Sequence, residues 1–233
     1  MSLAAFELAL LYKNKPYRLS FQFDLGHYKR LLKTGLPIFG VGNINPLWTT
    51  VMNNFIVSVG GPVNFGLYAI SNIIRGAVGV IPSAFGQVIY PRMAIMLGEG
   101  KGVSQILRSN IKPLIFQFGM MLGVGIIGAL LLPLLVPFFL PKYTGGIEAA
   151  QWMIFVPAVQ SFGALNNMYN VVKKQKWYFV SLLSGAILGS LFIFFRYNSV
   201  GFQLATFPQG LLIGQGIQQI LALLLLNKIR VDA

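Results

Sequence analysis

Long apolar segments separated by short polar gaps dominate this chain. The hydrocarbon core of a bilayer is crossed by about 20 helical residues, and the sequence contains six segments that reach or approach that length. The predicted spans are Gly35–Val59, Phe65–Tyr90, Pro113–Leu140, Ala149–Val172, Tyr178–Phe195 and Phe202–Leu226. The pattern therefore predicts an all-α polytopic membrane protein with six transmembrane helices.

Basic residues are confined to alternate gaps between these segments. Of the 18 Lys and Arg residues, 15 fall in the first, third and fifth gaps and the tail, two fall in the intervening gaps, and Arg75 lies inside a span. The two exceptions in the sparse gaps are Lys142 and Arg196. Because short cytoplasmic loops retain Lys and Arg, the alternation predicts that both termini face the cytoplasm.

Composition excludes several other classes. Only 10% of the residues are charged and 55% are hydrophobic, whereas a soluble domain has roughly 25% charged residues. The net charge of +13 lies beside apolar spans rather than on a solvated face, so a nucleic-acid partner is not expected. With no cysteine, a single histidine (His27) and five dispersed acids, we expect no metal site, no cofactor and no catalytic residues, and the chain is not expected to be an enzyme.

The amino-terminal region differs from the rest. Met1–Tyr12 is apolar but too short to span, and a basic stretch follows it. It suits either an interfacial amphipathic helix or the end of a preceding transmembrane helix. We therefore expect residues 1–33 to be a helix end plus a basic cytoplasmic linker, and residues 34–233 to be a six-helix transmembrane lobe.

Prolines and small residues recur within the spans. Prolines such as Pro46, Pro82 and Pro157 are expected to bend or interrupt their helices, as transporters need. Small residues four apart predict close helix packing. These are Gly119 with Gly123, Ser181 with Gly185 and Gly189, and Gly210 with Gly214.

Arg75 is the most informative polar residue. It lies within the second span, where a central arginine costs at least about 2.5 kcal/mol. Tyr68, Asn72 and Arg75 share a helix face, so one interpretation is a wet cavity that attracts an anion. The alternative is that Arg75 extends to the interface or binds backbone carbonyls.

Neutral polar residues suggest further candidate contacts. Asn43, Thr50 and Asn54 form a stripe on the first span, and amides and hydroxyls suit sugar hydroxyls. The alternative is hydrogen bonding between helices. Asn166 and Asn170 share a face of the fourth span, and for them packing is the favoured interpretation, with substrate contact as the alternative.

Several sequence runs carry a resemblance to a known family. Leu32–Ile38 follows the basic stretch, Gly66-Leu67-Tyr68 opens the next span, Ile81–Arg92 ends it, and Leu140–Tyr143 follows a long apolar helix. Their order and spacing resemble the carboxy-terminal half of Wzx-type polysaccharide and O-antigen flippases, within the multidrug/oligosaccharidyl-lipid/polysaccharide exporter superfamily. The resemblance covers most of 31–142 and is topological from Ala149 onward.

The resemblance implies a function and a set of partners. Members have two six-helix lobes around a central cavity and move lipid-linked oligosaccharide across the bacterial cytoplasmic (inner) membrane. It implies an undecaprenyl-diphosphate-linked glycan as substrate, used in polysaccharide or lipopolysaccharide biosynthesis, and the lipid bilayer as surroundings. This chain resembles the second lobe, so a first lobe is the expected partner. It would be the rest of a longer protein, a separate chain, or a second copy of this chain. Arg75, Asn72, Tyr68, Asn43, Thr50, Asn54, Asn166 and Asn170 are then the expected substrate contacts.

Two other functions are compatible with parts of the pattern. A drug or small-molecule exporter of the same superfamily would favour a site built from aromatic residues and an acidic residue, and the predicted spans contain no acidic residue. A membrane enzyme of polysaccharide assembly would need a sizeable outer loop with reactive residues, and the outer gaps are short.

Overall fold

The computed structural model describes residues 24–231, and the side chains of all of these except 34, 37, 38 and 227–231. The chain divides into two compact units, Met1–Leu36 and Pro37–Ala233. The described part of the first unit is the start of a helix, where the Asp24 carboxylate caps the Gly26 N–H at 2.7 Å and bonds the His27 ring at 2.5 Å. Hydrogen bonding to His27 lowers the pKa of Asp24. All contacts described below lie within the second unit.

Helices account for nearly all of the described chain, which contains no strand. The long helices are α1 (Leu25–Phe55), α2 (Gly61–Gly98) and α3 (Val103–Phe139). Four short helices follow: α4 (Ile147–Met153), α5 (Val156–Gln160), α6 (Gly163–Asn166) and α7 (Met168–Val171). The last two are α8 (Gln175–Val200) and α9 (Thr206–Val231). A π-helical turn (Ile56–Gly60) joins α1 to α2, and a 3-10 turn (Pro141–Gly146) joins α3 to α4.

Four helical stretches are long and apolar enough to cross a membrane. They are Phe39–Gly98, Val103–Phe139, Gln175–Val200 and Thr206–Leu226. The first has 60 residues and contains the end of α1 and all of α2. The chain turns inside it, because Gly61 has a φ of 78° and Pro62 opens α2. The prediction of an all-α polytopic membrane protein is confirmed; the count of six spans is not.

The fourth predicted span, Ala149–Val172, differs most from expectation. It is not one helix but the four short helices α4–α7, which we call the broken segment (Ile147–Val171). Its junctions use backbone bonds three residues apart, such as Ser161 N–H to Ala158 C=O at 3.1 Å. Pro157 lacks a backbone donor and Gly163 favours helix poorly, so a regular helix is disfavoured here.

The broken segment is central in the second unit. It contacts α2, α3 and α9, and Met153, Val156 and Met168 are fully buried. Irregular backbone at membrane depth is tolerated where protein surrounds it, and that condition holds here. Elsewhere the helices continue through prolines: α1 through Pro46, and α2 through Pro82 and Pro91.

Two apolar clusters occupy opposite ends of the unit. The turn-end cluster contains Trp48, Met52, Ile56, Tyr68, Ala149, Met153, Val156, Ile193, Phe207 and Leu211. The basic-end cluster contains Ile89, Met93, Met96, Val103, Ile106, Leu114, Ala164, Leu165, Met168, Tyr169, Ala222 and Leu226. The second and sixth gaps, which are poor in basic residues, lie close together at the turn end. Gly60 of the one is packed against the Phe202 ring beside the other, so closely that an added Cβ atom on Gly60 would clash with the ring.

Glycines bring α8 and α9 into backbone contact, as the small-residue spacing predicts. A Cβ on Gly185 would lie 2.5 Å from the Gly214 carbonyl oxygen, and one on Gly189 would lie 2.6 Å from that of Gly210. Trp48 of α1 covers this contact, with Nε1 donating to Ser190 Oγ at 3.0 Å. The same prediction for Gly119 and Gly123 fails within the described chain, since a Cβ on either would meet nothing within 4 Å.

Candidate substrate-binding face on α1 and α2

Arg75 connects the first two long helices. It is partly buried on α2, and its Nη1 donates to Thr49 Oγ1 of α1 at 3.2 Å. The Thr49 hydroxyl in turn donates to the Asn45 carbonyl at 3.0 Å. The guanidinium is therefore held between α1 and α2, fixed on one side by a neutral hydroxyl.

No acidic residue in the described part of the chain pairs with Arg75. The ion pairs there join His27 to Asp24 and Lys101 to Glu99. A guanidinium has five N–H donors, and the hydrogen bond to Thr49 uses one of them. An anionic ligand would therefore find both a positive charge and unused donors at this position.

The polar stripe of α1 nearest Arg75 is not the one that the sequence suggested. Asn45, Thr49 and Asn53 are spaced by four residues and share a face, and the amide oxygens of both asparagines are buried without a hydrogen-bond partner among the described residues. Residues spaced by four lie one turn apart on the same side of a helix, so this spacing in the sequence already indicated a shared face. We call Arg75, Asn72, Asn45, Thr49 and Asn53 the arginine face.

The predicted stripe of Asn43, Thr50 and Asn54 is placed differently. Asn43 donates to the Phe39 carbonyl at 2.7 Å and Thr50 donates to the Pro46 carbonyl at 2.9 Å, both within α1. Asn54 is exposed. The structure does not bring these three residues to Arg75.

The other two predicted residues on α2 differ in burial. Tyr68 is 1% exposed and packs in the turn-end cluster, with its ring centroid 6.3 Å from that of Phe207. Asn72 is partly exposed and lies three residues from Arg75. Asn72 thus lies beside the arginine and is accessible, whereas the Tyr68 ring belongs to the core, from which Tyr68 still interacts electrostatically with Arg75.

Asn166 joins a buried polar network in the broken segment. Its Nδ2 donates to Gln219 Oε1 of α9 at 2.8 Å, and its side chain is 2% exposed. Nearby, the Tyr169 hydroxyl donates to the Ala222 carbonyl, and the Tyr169 and Tyr178 rings stack at 5.5 Å. These bonds tie the broken segment to α8 and α9, and we call them the buried network.

Asn170 is only partly buried, and it lies four residues beyond Asn166. Its amide oxygen is buried with no hydrogen-bond partner among the described residues. It therefore extends the polar region of the broken segment without joining the Asn166–Gln219 bond.

A polar groove lies between α2 and the broken segment, and the sequence reasoning missed it. Its volume is about 410 Å³. It is lined by Gly79, Pro82, Ser83, Gly86, Gln87, Tyr90, Gln160, Gly163, Ala164 and Asn167. On α2, Ser83, Gln87 and Tyr90 follow a spacing of four and three residues, which is the signal that could have revealed it.

A comparison with protein families is consistent with the resemblance read from the sequence. The model of a family described as polysaccharide biosynthesis protein matches residues 1–138, which include the Arg75 region. No curated protein matches this chain, and no solved structure does. The family match confirms the suspected Wzx-like relationship. This chain, an all-α polytopic membrane protein, therefore belongs to the polysaccharide biosynthesis protein family.

Proposed function

We propose that this chain forms one lobe of a flippase that translocates a lipid-linked oligosaccharide, such as a polysaccharide or O-antigen repeat unit, across the bacterial cytoplasmic membrane. The observation that carries this proposal is Arg75: a partly buried cation in a membrane-spanning stretch, with one hydrogen bond to a neutral hydroxyl. Polysaccharide biosynthesis is the family context of the chain.

The arginine face suits a diphosphate linked to sugars. The planar guanidinium can bind phosphate oxygens through two parallel N–H bonds, and a positive charge at membrane depth gains most from an anionic partner. The amide groups of Asn72, Asn45 and Asn53 offer donors and acceptors beside it without a second charge. An undecaprenyl-diphosphate-linked glycan presents this combination of an anionic head and hydroxyl groups.

Transport by alternating access requires a second body. One lobe supplies one wall of a cavity, and the wall must rock against another for the site to open to each side in turn. We propose that a first lobe of the same type faces the arginine face. Discontinuous helices are common in transporters, and the broken segment is of this kind.

The distribution of basic residues supports an orientation. The gaps rich in Lys and Arg would lie on the cytoplasmic side, as would both termini. The turn at Gly61 and the loop before α9 would then face outward together, which agrees with the proximity of Gly60 to Phe202.

Complementation of a flippase-deficient strain, with the first lobe co-expressed, tests the role of Arg75. We expect Arg75→Ala to abolish glycan export while membrane levels stay unchanged, because the side chain contributes charge rather than core packing. Arg75→Lys retains the charge but loses the paired N–H donors of the guanidinium, so it should keep partial export. Arg75→Glu should be at least as damaging as Arg75→Ala, because a carboxylate would repel a diphosphate.

Arg108→Ala is the matched control, since Arg108 is an exposed arginine on α3. It should export normally. Normal export by Arg75→Ala at equal protein level would contradict the proposed role of the arginine face.

A further inference from the structure

The groove between α2 and the broken segment is separate from the contact of Arg75 with Thr49, and its lining differs in chemistry. We propose that this groove binds a neutral sugar ring of the lipid-linked substrate whose diphosphate meets Arg75. The inference rests on the proposed function and adds to it a second subsite with its own specificity.

The polar side chains of the groove have unused hydrogen-bonding capacity. Ser83 and Gln87 of α2, together with Gln160 and Asn167 of the broken segment, make no side-chain hydrogen bond with any residue in the described part of the chain. Each offers both a donor and an acceptor. A sugar hydroxyl is likewise both donor and acceptor, so the four side chains match a ring that carries several hydroxyls.

The groove carries no formal charge. None of its lining residues is Lys, Arg, Asp or Glu. A phosphate in this position would lack a cation to compensate it, whereas a neutral ring needs none. Tyr90 adds an exposed aromatic ring, whose apolar face can contact the C–H side of a sugar while its hydroxyl stays polar.

Glycines keep the groove open beside α2. A Cβ placed on Gly79 or on Gly86 would meet nothing within 4 Å. Residues 24–231 therefore leave the space beside the helix unfilled, and a ligand can approach the backbone there. This openness contrasts with Gly185 and Gly189 of α8 and Gly214 of α9, where a Cβ would strike the backbone of the neighbouring helix.

The groove lies in register with Arg75 along α2. Asn72, Gly79, Ser83 and Tyr90 are spaced by seven, four and seven residues, so they share a helix face. Arg75 precedes Ser83 by eight residues, which is about 12 Å along the helix axis. One substrate molecule can therefore place its diphosphate at Arg75 and its first sugars in the groove.

Binding of three lipids to the purified chain in nanodiscs tests this division. The probes are undecaprenyl diphosphate, the same lipid carrying N-acetylglucosamine, and the same lipid carrying galactose, with dissociation constants from native mass spectrometry. We expect at least one sugar-bearing lipid to bind about tenfold more tightly than the sugar-free lipid, as two or so net hydrogen bonds would provide.

Gly86→Phe is the decisive variant. A Cβ at Gly86 meets no described atom within 4 Å, so the new side chain is expected to enter the groove. It should reduce the affinity for the sugar-bearing lipids to that for the sugar-free lipid and leave the latter unchanged. Gly66→Phe is the matched control: Gly66 lies on the same helix, is exposed and open, and is outside the groove, so its binding should equal that of the unaltered chain. Arg75→Ala should weaken all three probes.

The outcomes separate the two proposals. If the unaltered chain binds all three lipids equally, or if Gly86→Phe leaves the sugar preference intact, the groove is not a sugar site, although the role of Arg75 stands. If the unaltered chain binds none of the probes, the proposed function fails and the groove inference fails with it. If Gly86→Phe weakens the binding of every probe, the diphosphate also lies in the groove, and the proposed separation of a sugar subsite from the Arg75 site is wrong.

Discussion

Two regions of this membrane unit use the same kinds of residue in opposite ways. In α8 and α9, Gly185, Gly189 and Gly214 come close to neighbouring backbone, and in the broken segment the Asn166 amide is paired with Gln219. On α2, no described atom lies within 4 Å of a Cβ at Gly79 or Gly86, and Arg75 has donors that the described residues do not use. We call these the closed region and the open region.

The contrast shows that residue type alone does not assign a role inside a membrane protein. A small residue or an amide stabilises the fold where a partner from the same chain meets it, and it is available to a ligand where none does. Substitutions in the closed region should therefore affect stability, and those in the open region should affect export or binding.

The largest effect on stability should come from Gly214→Leu in the closed region. A Cβ there would lie 2.5 Å from the Gly185 carbonyl oxygen, so α8 and α9 would have to separate. We expect a loss of about 3 kcal/mol or more, seen as loss of the monodisperse peak in fluorescence-detected size-exclusion chromatography. Gly119→Leu, at an open glycine of α3, is the control and should leave the peak intact.

A smaller loss of stability is expected for Gln219→Ala. Removal of its side chain leaves the buried Asn166 N–H without its 2.8 Å partner, which should cost about 1–2 kcal/mol. Thermal unfolding in detergent measures it. Gln209→Ala, on the same helix and without a side-chain hydrogen bond to the described residues, should shift the melting temperature much less. Equal shifts would show that the buried network contributes no more than ordinary packing.

The smallest effect should come from Thr49→Val in the open region. It keeps the shape of the side chain and removes the acceptor for Arg75, so a mispositioned guanidinium should reduce export about fivefold, the equivalent of about 1 kcal/mol, without a change in stability. Thr50→Val is the neighbouring control, because the hydrogen bond that the Thr50 side chain makes with the described residues lies within α1. A larger defect for Thr50→Val would favour the stripe that includes Asn43 and Asn54 as the functional one.

Much of the helical architecture could be predicted from the sequence, because apolar length and proline or glycine at turns act locally. The turn at Gly61 and the α8–α9 glycine contact follow from such signals. An interruption at Pro157 was expected, but the division of this span into four short helices was missed, because hydropathy alone does not distinguish a continuous apolar helix from four short ones. Pro157, Gly163 and the asparagines were the local evidence against a regular helix.

The candidate site was predicted less well for a geometric reason. Arg75 could be singled out because its charge is costly at membrane depth wherever the helix points. Which stripe of α1 meets Arg75 depends on the rotation of one helix against another, and a rotation of roughly 100°, a little over a quarter of a turn, exchanges Thr49 for Thr50. The groove depends on the path of the broken segment, which brings Gln160 and Asn167 opposite Ser83.

The position of Trp48 also gives the protein an internal optical probe. Of the three tryptophans, Trp48 is 6% exposed and lies against the α8–α9 glycine contact, whereas Trp152 and Trp177 are 40% and 41% exposed. Replacing the two exposed rings with phenylalanine would leave a single fluorophore, whose emission wavelength depends on how closely α1 sits against α8 and α9. Any movement of α1 during a transport cycle could then be followed by its spectrum, in real time and without an added label.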